Sequence, residues 1–289
     1  MIWADSVIQG IFLGGLLALF AAGLSLLYGV MGVLNLAHGD IAVVAGYLAV
    51  ALIPALHLPP LVVFLIVVAA MMVGGYLVQR LIFQPSLESS HLTPLLVTLG
   101  MSVVIENLLL ELFSANGHSL ALGAFSVGSV VVSSQISLGY LSMTILGVAV
   151  LALVLIQLGL SKTRMGRIIR AVADDREAAQ LIGVNYRHIF GVAAAVAFGT
   201  VALAGLSLTM YSQISPTAGP NYLIYGFEAV VIGGLGSLWG TLVGGIVLGV
   251  AVTVGLTLSP NYGALAPHLV FLAVLAVRPQ GFFPRRVTA

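Results

Sequence analysis

A few polar and ionisable side chains interrupt long apolar stretches of the sequence. Asn35, His38 and Asp40 lie close together where one apolar run gives way to the next, and Glu106 and Glu228 each lie inside a run. An ionisable group at membrane depth costs roughly 2.5–3.5 kcal/mol on insertion scales, so it usually faces a partner or a water-filled cavity. These five residues are therefore the candidates to line a pathway for a polar substrate.

Each candidate also has a purely structural interpretation. Asn35 and Asp40 are residue types that cap helix ends, since an amide oxygen accepts from free backbone N–H groups and a carboxylate suits a helix N-terminus. A broken helix whose exposed backbone groups bind a zwitterion is the alternative, and the two roles are compatible. For Glu106 the neighbouring Asn107 offers a polar cluster, so the sequence favours hydrogen bonding to a neighbouring helix over substrate contact. The same preference applies to Glu228.

The composition excludes a soluble protein. Only 7% of the 289 residues are Asp, Glu, Lys or Arg, whereas a soluble domain carries about 25%. Hydrophobic residues make up 60%, and the net charge of +1 provides no field that would attract nucleic acid. Cysteine is absent, which excludes disulfides, cysteine-ligated metals and thiol nucleophiles.

Motifs for catalysis and nucleotide binding are missing from the sequence. It has neither a His-Glu-x-x-His helix for zinc nor a Gly-x-Ser-x-Gly nucleophile elbow, and its histidines are scattered over different loops and ends. We therefore expect no enzyme activity, no metal site and no cofactor in this chain. A Gly-x-x-x-x-Gly-Lys-Ser/Thr loop is absent as well, so ATP would have to be bound by a separate subunit.

Nine apolar runs have the length of membrane-spanning helices. Strands of a membrane barrel would alternate apolar and polar residues over about ten positions, whereas these runs are about twenty residues long and apolar on all sides. We predict an all-α bundle of eight or nine spans, with a polar break near residues 34–40 and a glycine-rich break near residues 233–240. The runs cover residues 7–30, 34–56, 60–79, 93–113, 138–160, 188–212, 222–238, 240–258 and 265–277.

The basic residues predict the orientation of the bundle, since Lys and Arg accumulate in short cytoplasmic loops. Six of the ten lie between Lys162 and Arg187. The other four are Arg80, Arg278, Arg285 and Arg286. All ten are cytoplasmic at once if the C-terminus lies inside and the N-terminus outside.

Three further features concern the N-terminus, one uncharged loop and the number of domains. Residues 1–6 carry no Lys or Arg, which argues against a cleaved signal peptide. The charge-free residues 114–137 are predicted to form an external flap packed on the bundle. No linker or shift in composition divides the chain, so we expect residues 1–289 to form one transmembrane domain.

The loop at residues 162–187 is the one segment that resembles a soluble protein in composition. Asp174 followed by Glu177 has the spacing of a capping box, and Gly183 can adopt the left-handed conformation that ends a helix. The sequence therefore predicts a short helix over Asp175–Ile182, with charges at one end and small or apolar side chains along it. A helix of this kind is suited to docking against another protein, although a plain connector lying on the bundle is the alternative.

Three stretches carry a resemblance to known permeases. Glu177-Ala178-Ala179, three residues and then Gly183 resemble the EAA loop of ATP-binding cassette (ABC) importer permeases, without its usual hydrophobic and proline tail. The run from Gly32 to Asp40, with Ala45-Gly46-Tyr47 following, resembles the N-terminal signature of the branched-chain amino acid permease family. The glycine-rich run from Gly226 to Gly249 is similar to the same family, and the details fit its LivH-type subunit better than its LivM-type subunit.

The resemblance implies a function and a set of partners. Two permease chains, this one and a LivM-like subunit or a second copy, would form the pathway in a bacterial inner membrane. Two ATPase subunits would bind the cytoplasmic loop, and a periplasmic binding protein would deliver leucine, isoleucine or valine. Urea, short amides and other amino acids are substrates of the same family, and an ion-coupled secondary transporter is a further alternative. The residues implied in ATPase coupling are Asp174, Arg176, Glu177, Ala178, Ala179 and Gly183.

Glycines spaced four apart predict close helix packing. Gly240 with Gly244 and Gly245 with Gly249 lie on one predicted helix, and small residues let helices approach closely in lipid. Packing within the chain is the favoured interpretation. A movable contact with the second permease subunit is the alternative.

Overall fold

A computed structural model describes residues 2–88, 92–121, 123–133 and 136–283. In this part of the chain the fold is a helical bundle with one short β-hairpin, which confirms the all-α class. Each of the nine apolar runs coincides with a helix, and seven described helices are long and apolar enough to cross a membrane. The total of eight or nine spans stays a prediction, because two of the nine helices are shorter.

The nine helices of the apolar runs are joined by shorter elements. The long helices are α1 (Ile2–Met31), α2 (His38–Leu56), α3 (Pro60–Val78), α5 (Thr93–Phe113), α7 (Tyr140–Lys162), α10 (Tyr186–Tyr211), α11 (Gly219–Gly233), α12 (Leu238–Leu258) and α13 (Tyr262–Val277). A π-helical turn (Gln79–Phe83) continues α3 into α4 (Gln84–Leu87), and the other short elements are α6 (Ala124–Val127), α8 (Arg164–Asp174), α9 (Arg176–Leu181) and the antiparallel strands β1 (Ser129–Ser133) and β2 (Ile136–Gly139).

The two central helices, α1 and α10, are buried over most of their length. They run antiparallel, since Gly23 of α1 contacts Ala197 of α10, whereas Leu26, further along α1, lines a cavity with Val192, nearer the start of α10. Each has an antiparallel neighbour on its other side. α1 packs on α12, where Gly14 contacts Ile246, and α10 packs on α3, where Gly75 contacts Phe198.

The central helices also share a sequence. The pentapeptide Ala-Gly-Leu-Ser-Leu occupies residues 22–26 of α1 and residues 204–208 of α10. After α1 the chain continues into the shorter α2 and then into α3, which packs on α10. After α10 it continues into the shorter α11 and then into α12, which packs on α1. Because α1 and α10 are antiparallel, α1–α2–α3 and α10–α11–α12 form an inverted repeat. This internal symmetry was not among the sequence-based predictions.

The two ends of the bundle differ in charge. The eight described Lys and Arg residues all lie at one end, which we call the basic end: Arg80, Lys162, Arg164, Arg167, Arg170, Arg176, Arg187 and Arg278. The β-hairpin lies at the opposite end, which we call the hairpin end, where Gln9 Nε2 donates to the carbonyl of Ser137 (2.8 Å). The predicted orientation requires such a grouping. Arg285 and Arg286 lie outside the described residues.

The residues predicted to form an external flap contain α6, β1 and the start of β2. His118 exchanges two backbone hydrogen bonds with Ile214, both 2.9 Å, and Leu120 N–H donates to the carbonyl of Thr209. The described residues of the flap are therefore attached to the end of α10 and to the connection that follows it.

The predicted capping box at α9 is wrong by one residue. Asp175, not Asp174, is the cap, and its Oδ1 accepts from the N–H groups of the residues two and three positions later (both 2.9 Å). Asp174 is the last residue of α8, because the backbone leaves the helical region only at Asp175 (φ −151°). Glu177 is then the second residue of the helix, one short of the position that a capping box requires. The helix spans Arg176–Leu181 and is shorter than predicted, whereas Gly183 has the expected left-handed φ of 85°.

Candidate substrate pathway

Two helices begin inside the bundle and meet at their first turns. α2 starts at His38 and α11 at Gly219, and Gly39 approaches Gly219 so closely that a Cβ on either glycine would overlap the facing helix. His38 and Tyr222, from the two first turns, both contact Phe20 of α1. Phe20 lies about 27 Å along a helix of about 45 Å, at 1.5 Å per residue. Both helices therefore begin deep in the bundle rather than at its surface.

The inverted repeat extends to these two helices. Seven residues after each of the facing glycines comes a second glycine followed by an aromatic residue, Gly46-Tyr47 in α2 and Gly226-Phe227 in α11. A helix N-terminus carries partial positive charge. The repeat thus brings two positive helix ends together inside an apolar bundle.

Asp40 supplies the negative charge at this junction. It is fully buried, its Oδ2 accepts a hydrogen bond from Ser102 Oγ of α5, and its Oδ1 lies against Gly219 at the first turn of α11. Oδ1 has no hydrogen-bond partner among the described residues. Since a carboxylate is favourable at a helix N-terminus, Asp40 ties α2, α5 and α11 together.

Asn35 and His38 have structural partners beside the junction. Asn35 Oδ1 accepts from Ala37 N–H (3.0 Å) in the connection between α1 and α2, and His38 Nε2 hydrogen-bonds with the carbonyl of Phe20 (2.9 Å). Asn35 is 3% and His38 0% exposed. This geometry fits the structural interpretation of the two residues better than direct contact with a substrate.

Glu106 lies on α5 one turn beyond Ser102, the residue that donates a hydrogen bond to Asp40. It is partly exposed, and Asn107 and Glu111 on the same helix are exposed. Asn107 Nδ2 donates to the carbonyl of Val103 in its own helix (2.8 Å). α5 therefore presents polar side chains outward, and Glu106 lies between that outer face and the junction at Asp40.

Glu88, directly after α4, joins α4 to α10 at the basic end. Its carboxylate accepts hydrogen bonds from Gln84 Nε2 (2.7 Å) and Tyr186 Oη (2.9 Å) and pairs with Arg187 (3.0 Å). The hydrogen bonds from Gln84 and Tyr186, together with the charge of Arg187, hold the pKa of Glu88 below its ordinary value. This junction connects the segment before α5 to the first turn of α10.

Glu228 belongs to a second site. Its Oε1 lies 2.6 Å from His268 Nδ1 of α13, and Tyr225 stacks on the His268 ring with 5.5 Å between ring centres. Glu228 is 4% exposed, whereas the His268 side chain is 40% exposed. Glu228 follows Gly219 by nine residues, about 13 Å along the helix, so it is separate from the junction at Asp40.

The four glycines of α12 lie at contacts within this chain. Gly240 and Gly244 face α11, and Gly245 and Gly249 face α1. A Cβ at any of the four would overlap backbone atoms of the facing helix. These surfaces are occupied by the chain's own helices and leave no room for a second subunit at these positions.

α9 has one buried and one exposed face. Ala179 is 3% exposed and packs into the chain's own core, whereas Leu181 is 89% and Ile182 79% exposed. The remaining residues implied in ATPase coupling are exposed too: Asp174, Arg176, Glu177, Ala178 and Gly183. Ala179 therefore holds the helix in place, and the aliphatic and charged side chains around it are the ones available to a partner.

The sequence interpretation missed the partners of two carboxylates. Ser102 binds Asp40, and His268 binds Glu228. His268 could have been found, because an ionisable residue inside an apolar run usually has a partner. Ser102 gives no such signal, since serine is common along the chain. Gly219 could have been placed opposite Gly39 from the repeated pentapeptide and the glycine spacing.

The chain has long apolar helices, two helices that begin within the bundle, and buried carboxylates on those two helices. These features define a multi-pass integral membrane protein of the transport class. In a bacterium, such a helical protein lies in the inner membrane.

Comparisons with known proteins identify the family. The model of the family described as "Branched-chain amino acid transport system / permease component" matches residues 6–277, so the chain belongs to this permease family. The permease protein LivH of Salmonella typhimurium, named for high-affinity branched-chain amino acid transport, is 28% identical over 295 residues, which cover 97% of this chain and 95% of that protein.

Two other relatives show the range of the similarity. BraD of Pseudomonas aeruginosa, named for the same transport system, is 28% identical over 297 residues, covering 98% of this chain and 96% of that protein. The fructose import permease protein FrcC of Rhizobium meliloti is 32% identical over 201 residues, covering 64% of this chain and 55% of that protein.

Proposed function

We propose that this chain is a non-catalytic permease subunit of an ATP-driven importer that carries leucine, isoleucine and valine into the cytoplasm. The observation that carries the proposal is the similarity over nearly the full length to LivH and BraD, whose names state branched-chain amino acid transport. The basic end is cytoplasmic in this proposal, since Lys and Arg accumulate on that side.

The pathway in this proposal runs along the outward face of α5. Asn107 and Glu111 are exposed there, and polar groups within a span are costly against lipid. Exposed Thr217 and Asn221 lie within two residues of Gly219, next to the junction at Asp40. A second permease subunit, LivM-like or a copy of this chain, covers this face and completes the pathway. Glu106 offers negative charge to the substrate amine, and Asp40 positions α5 from behind.

Coupling to ATP in this proposal takes place at α9. The chain has no nucleotide-binding loop of its own, so ATP is bound by two partner ATPase subunits. Exposed Leu181 and Ile182, with Arg176 and Glu177 beside them, form the docking surface. A periplasmic binding protein delivers substrate at the hairpin end.

The docking surface is tested by Glu177→Lys in the assembled complex. The charge reversal should reduce both ATPase recovery on purification and substrate uptake, while membrane insertion stays intact. Arg167→Glu is the matched control, because it reverses an exposed charge at the same end but on α8. Uptake at the wild-type rate by the Glu177→Lys complex would contradict docking at α9.

The substrate is tested by radiolabelled uptake in proteoliposomes that contain the complete complex. Leucine should be taken up with ATP inside, whereas urea, a short amide and fructose should not compete. Competition by urea, the amide or another amino acid would assign the chain to a different substrate of the same family. Leucine uptake driven by an ion gradient without ATP would support a secondary transporter instead.

A further inference from the structure

A cavity of about 440 Å³ lies at the basic end, between α1, α7, α8 and the start of α12. Its polar wall contains Ser25, Gln157, Arg170 and Ser237, and Trp239 lies at its rim with 45% of its surface exposed. Nothing in the pathway proposal uses this cavity, because it lies beside α7 rather than α5. Its features point to a ligand of its own.

Three features of the cavity favour an anion. Arg170 lines it and is anchored by a hydrogen bond to the carbonyl of Leu160. The first residues of α12 also line it. Ser237 Oγ accepts from Gly240 N–H (3.1 Å), whereas the preceding N–H groups of Leu238 and Trp239 have no acceptor within the helix and attract anions. Ser25 is 1% exposed, and its hydroxyl has no hydrogen-bond partner among the described residues. A charged donor, a helix N-terminus and a buried unpaired hydroxyl therefore share one wall.

The surroundings favour a lipid over a soluble anion. Toward the basic end, α7 exposes Val150, Leu151, Leu155 and Leu158, which is a lipid-facing pattern. Lys162, Arg164 and Arg167 follow at the basic end, and tryptophan is enriched at the level of lipid headgroups. Leu26, Val30 and Ile169 give the cavity apolar walls that suit the start of an acyl chain.

The inverted repeat provides an internal comparison. A second cavity of about 340 Å³ lies at the hairpin end and contains Ser207, the residue that corresponds to Ser25 in the repeated pentapeptide. α7 lines both cavities, but the described residues around the second one include no charged side chain. The fold alone therefore produces a cavity at each end, and the arginine is specific to the basic end.

We propose that the basic-end cavity binds the phosphate headgroup of an anionic phospholipid from the cytoplasmic leaflet, with Arg170, the N-terminus of α12 and Ser25 as its donors. The lipid fills the groove between α7 and α12 and fixes the position of α8, the helix that leads into the α9 loop. The site is separate from the substrate pathway and does not depend on which substrate the chain carries.

The test uses Trp239 as a reporter. Trp3 is the other of the two tryptophans in the chain, so Trp3→Phe leaves Trp239 as the single fluorophore in the full-length protein. Bilayers of phosphatidylcholine receive increasing amounts of brominated phosphatidylglycerol or brominated phosphatidylcholine, which quench a tryptophan in contact. We expect the anionic lipid to be preferred roughly fivefold, the effect of one arginine near an anionic headgroup.

Matched variants assign the preference to the cavity. Arg170→Gln should abolish it and Arg170→Lys should keep it. Ser25→Ala should leave the preference unchanged and weaken the binding of both lipids roughly threefold, since it removes one hydrogen bond to the phosphate that both lipids carry. Arg167→Gln, on the exposed side of α8 one turn earlier, should leave the preference unchanged. Equal loss in Arg167→Gln and Arg170→Gln would overturn the site in favour of general surface charge. Saturable quenching relief by inorganic phosphate would assign the cavity to a soluble anion and overturn the lipid.

Discussion

α5 and α7 are both long apolar helices that the rest of the chain leaves largely uncovered, yet their exposed faces differ. The central exposed residues of α7 are aliphatic, Leu151 and Leu155 among them, whereas α5 exposes Asn107 and Glu111 among its aliphatic side chains. Behind α5 lies the buried carboxylate of Asp40, bound to Ser102. Length and hydropathy place both helices in a membrane, and only the polar residues on the exposed face distinguish what each helix meets there.

The difference teaches that a side chain exposed in a single chain of a membrane protein faces either lipid or something polar, which is water or another protein. Polar groups against lipid are costly, so the face of α5 requires water or another protein. The face of α7 has no such requirement and suits lipid.

The largest effect is expected from an aspartate placed at the same depth on each helix. Val104 of α5 is 65% and Leu151 of α7 58% exposed, and each lies near the middle of its helix. Leu151→Asp should destabilise the folded protein by roughly 2.5–3.5 kcal/mol, the cost of a carboxylate in the hydrocarbon. Val104→Asp should cost much less, because it lies one turn from Asn107. Thermal unfolding of the two purified variants and the fraction recovered as a monodisperse complex measure the difference.

If the two aspartates destabilised the protein equally, the exposed faces of α5 and α7 would not differ in what they contact. Val104→Leu and Leu151→Val are the controls, since they exchange aliphatic side chains without adding charge.

The next effect concerns access of water. The chain has no cysteine, so a single introduced thiol is read without background. In the assembled complex Asn107→Cys should react with a water-soluble thiol reagent at least about tenfold faster than Leu151→Cys, because a thiol in apolar surroundings does not ionise. Ser126→Cys and Ser161→Cys calibrate the two sides with an impermeant reagent. Faster labelling at residue 151 than at residue 107 would place α7 on the pathway.

Much of the fold could be predicted from the sequence, but the side-chain contacts between the helices could not. The nine apolar runs predicted the helices because hydrophobicity over about twenty residues is a local property. The junction at Asp40 could not be predicted in full, since its partner Ser102 is more than sixty residues away in sequence and chemically unremarkable. The cap of α9 was placed one residue early because the same Asp-Asp pair offers two possible caps, and only the backbone decides between them.

Glu106→Gln sharpens the comparison within α5. The sequence favoured a structural hydrogen bond for Glu106, but its partial exposure beside the exposed Asn107 now favours a role for its charge. The amide keeps the size and removes the charge, so uptake per assembled complex should fall about tenfold, equivalent to about 1.4 kcal/mol. Glu111→Gln, one turn and a residue further along, is the control and should have a smaller effect. Unchanged uptake in Glu106→Gln with loss of stability in Glu106→Leu would restore the structural role.

The smallest effect is expected at Glu88, which holds the segment before α5 against α10. Its pKa is held below the ordinary value by hydrogen bonds from Gln84 and Tyr186 and by the charge of Arg187. A carboxyl with a lowered folded-state pKa contributes stability at pH values above its unfolded pKa of about 4.3. It loses this contribution as the pH falls through the folded-state pKa.

Glu88→Gln should therefore lower the melting temperature slightly at pH 7, and the difference from the wild type should disappear in acid. Because the group is exposed, the shift should also shrink in high salt. Arg187→Gln should give a smaller shift with the same pH dependence, since it removes the charge but leaves the hydrogen bonds from Gln84 and Tyr186 in place, whereas Arg164→Gln at the same end should give none. A Glu88→Gln shift that persists below the folded pKa would mean that shape, not charge, holds α4 against α10.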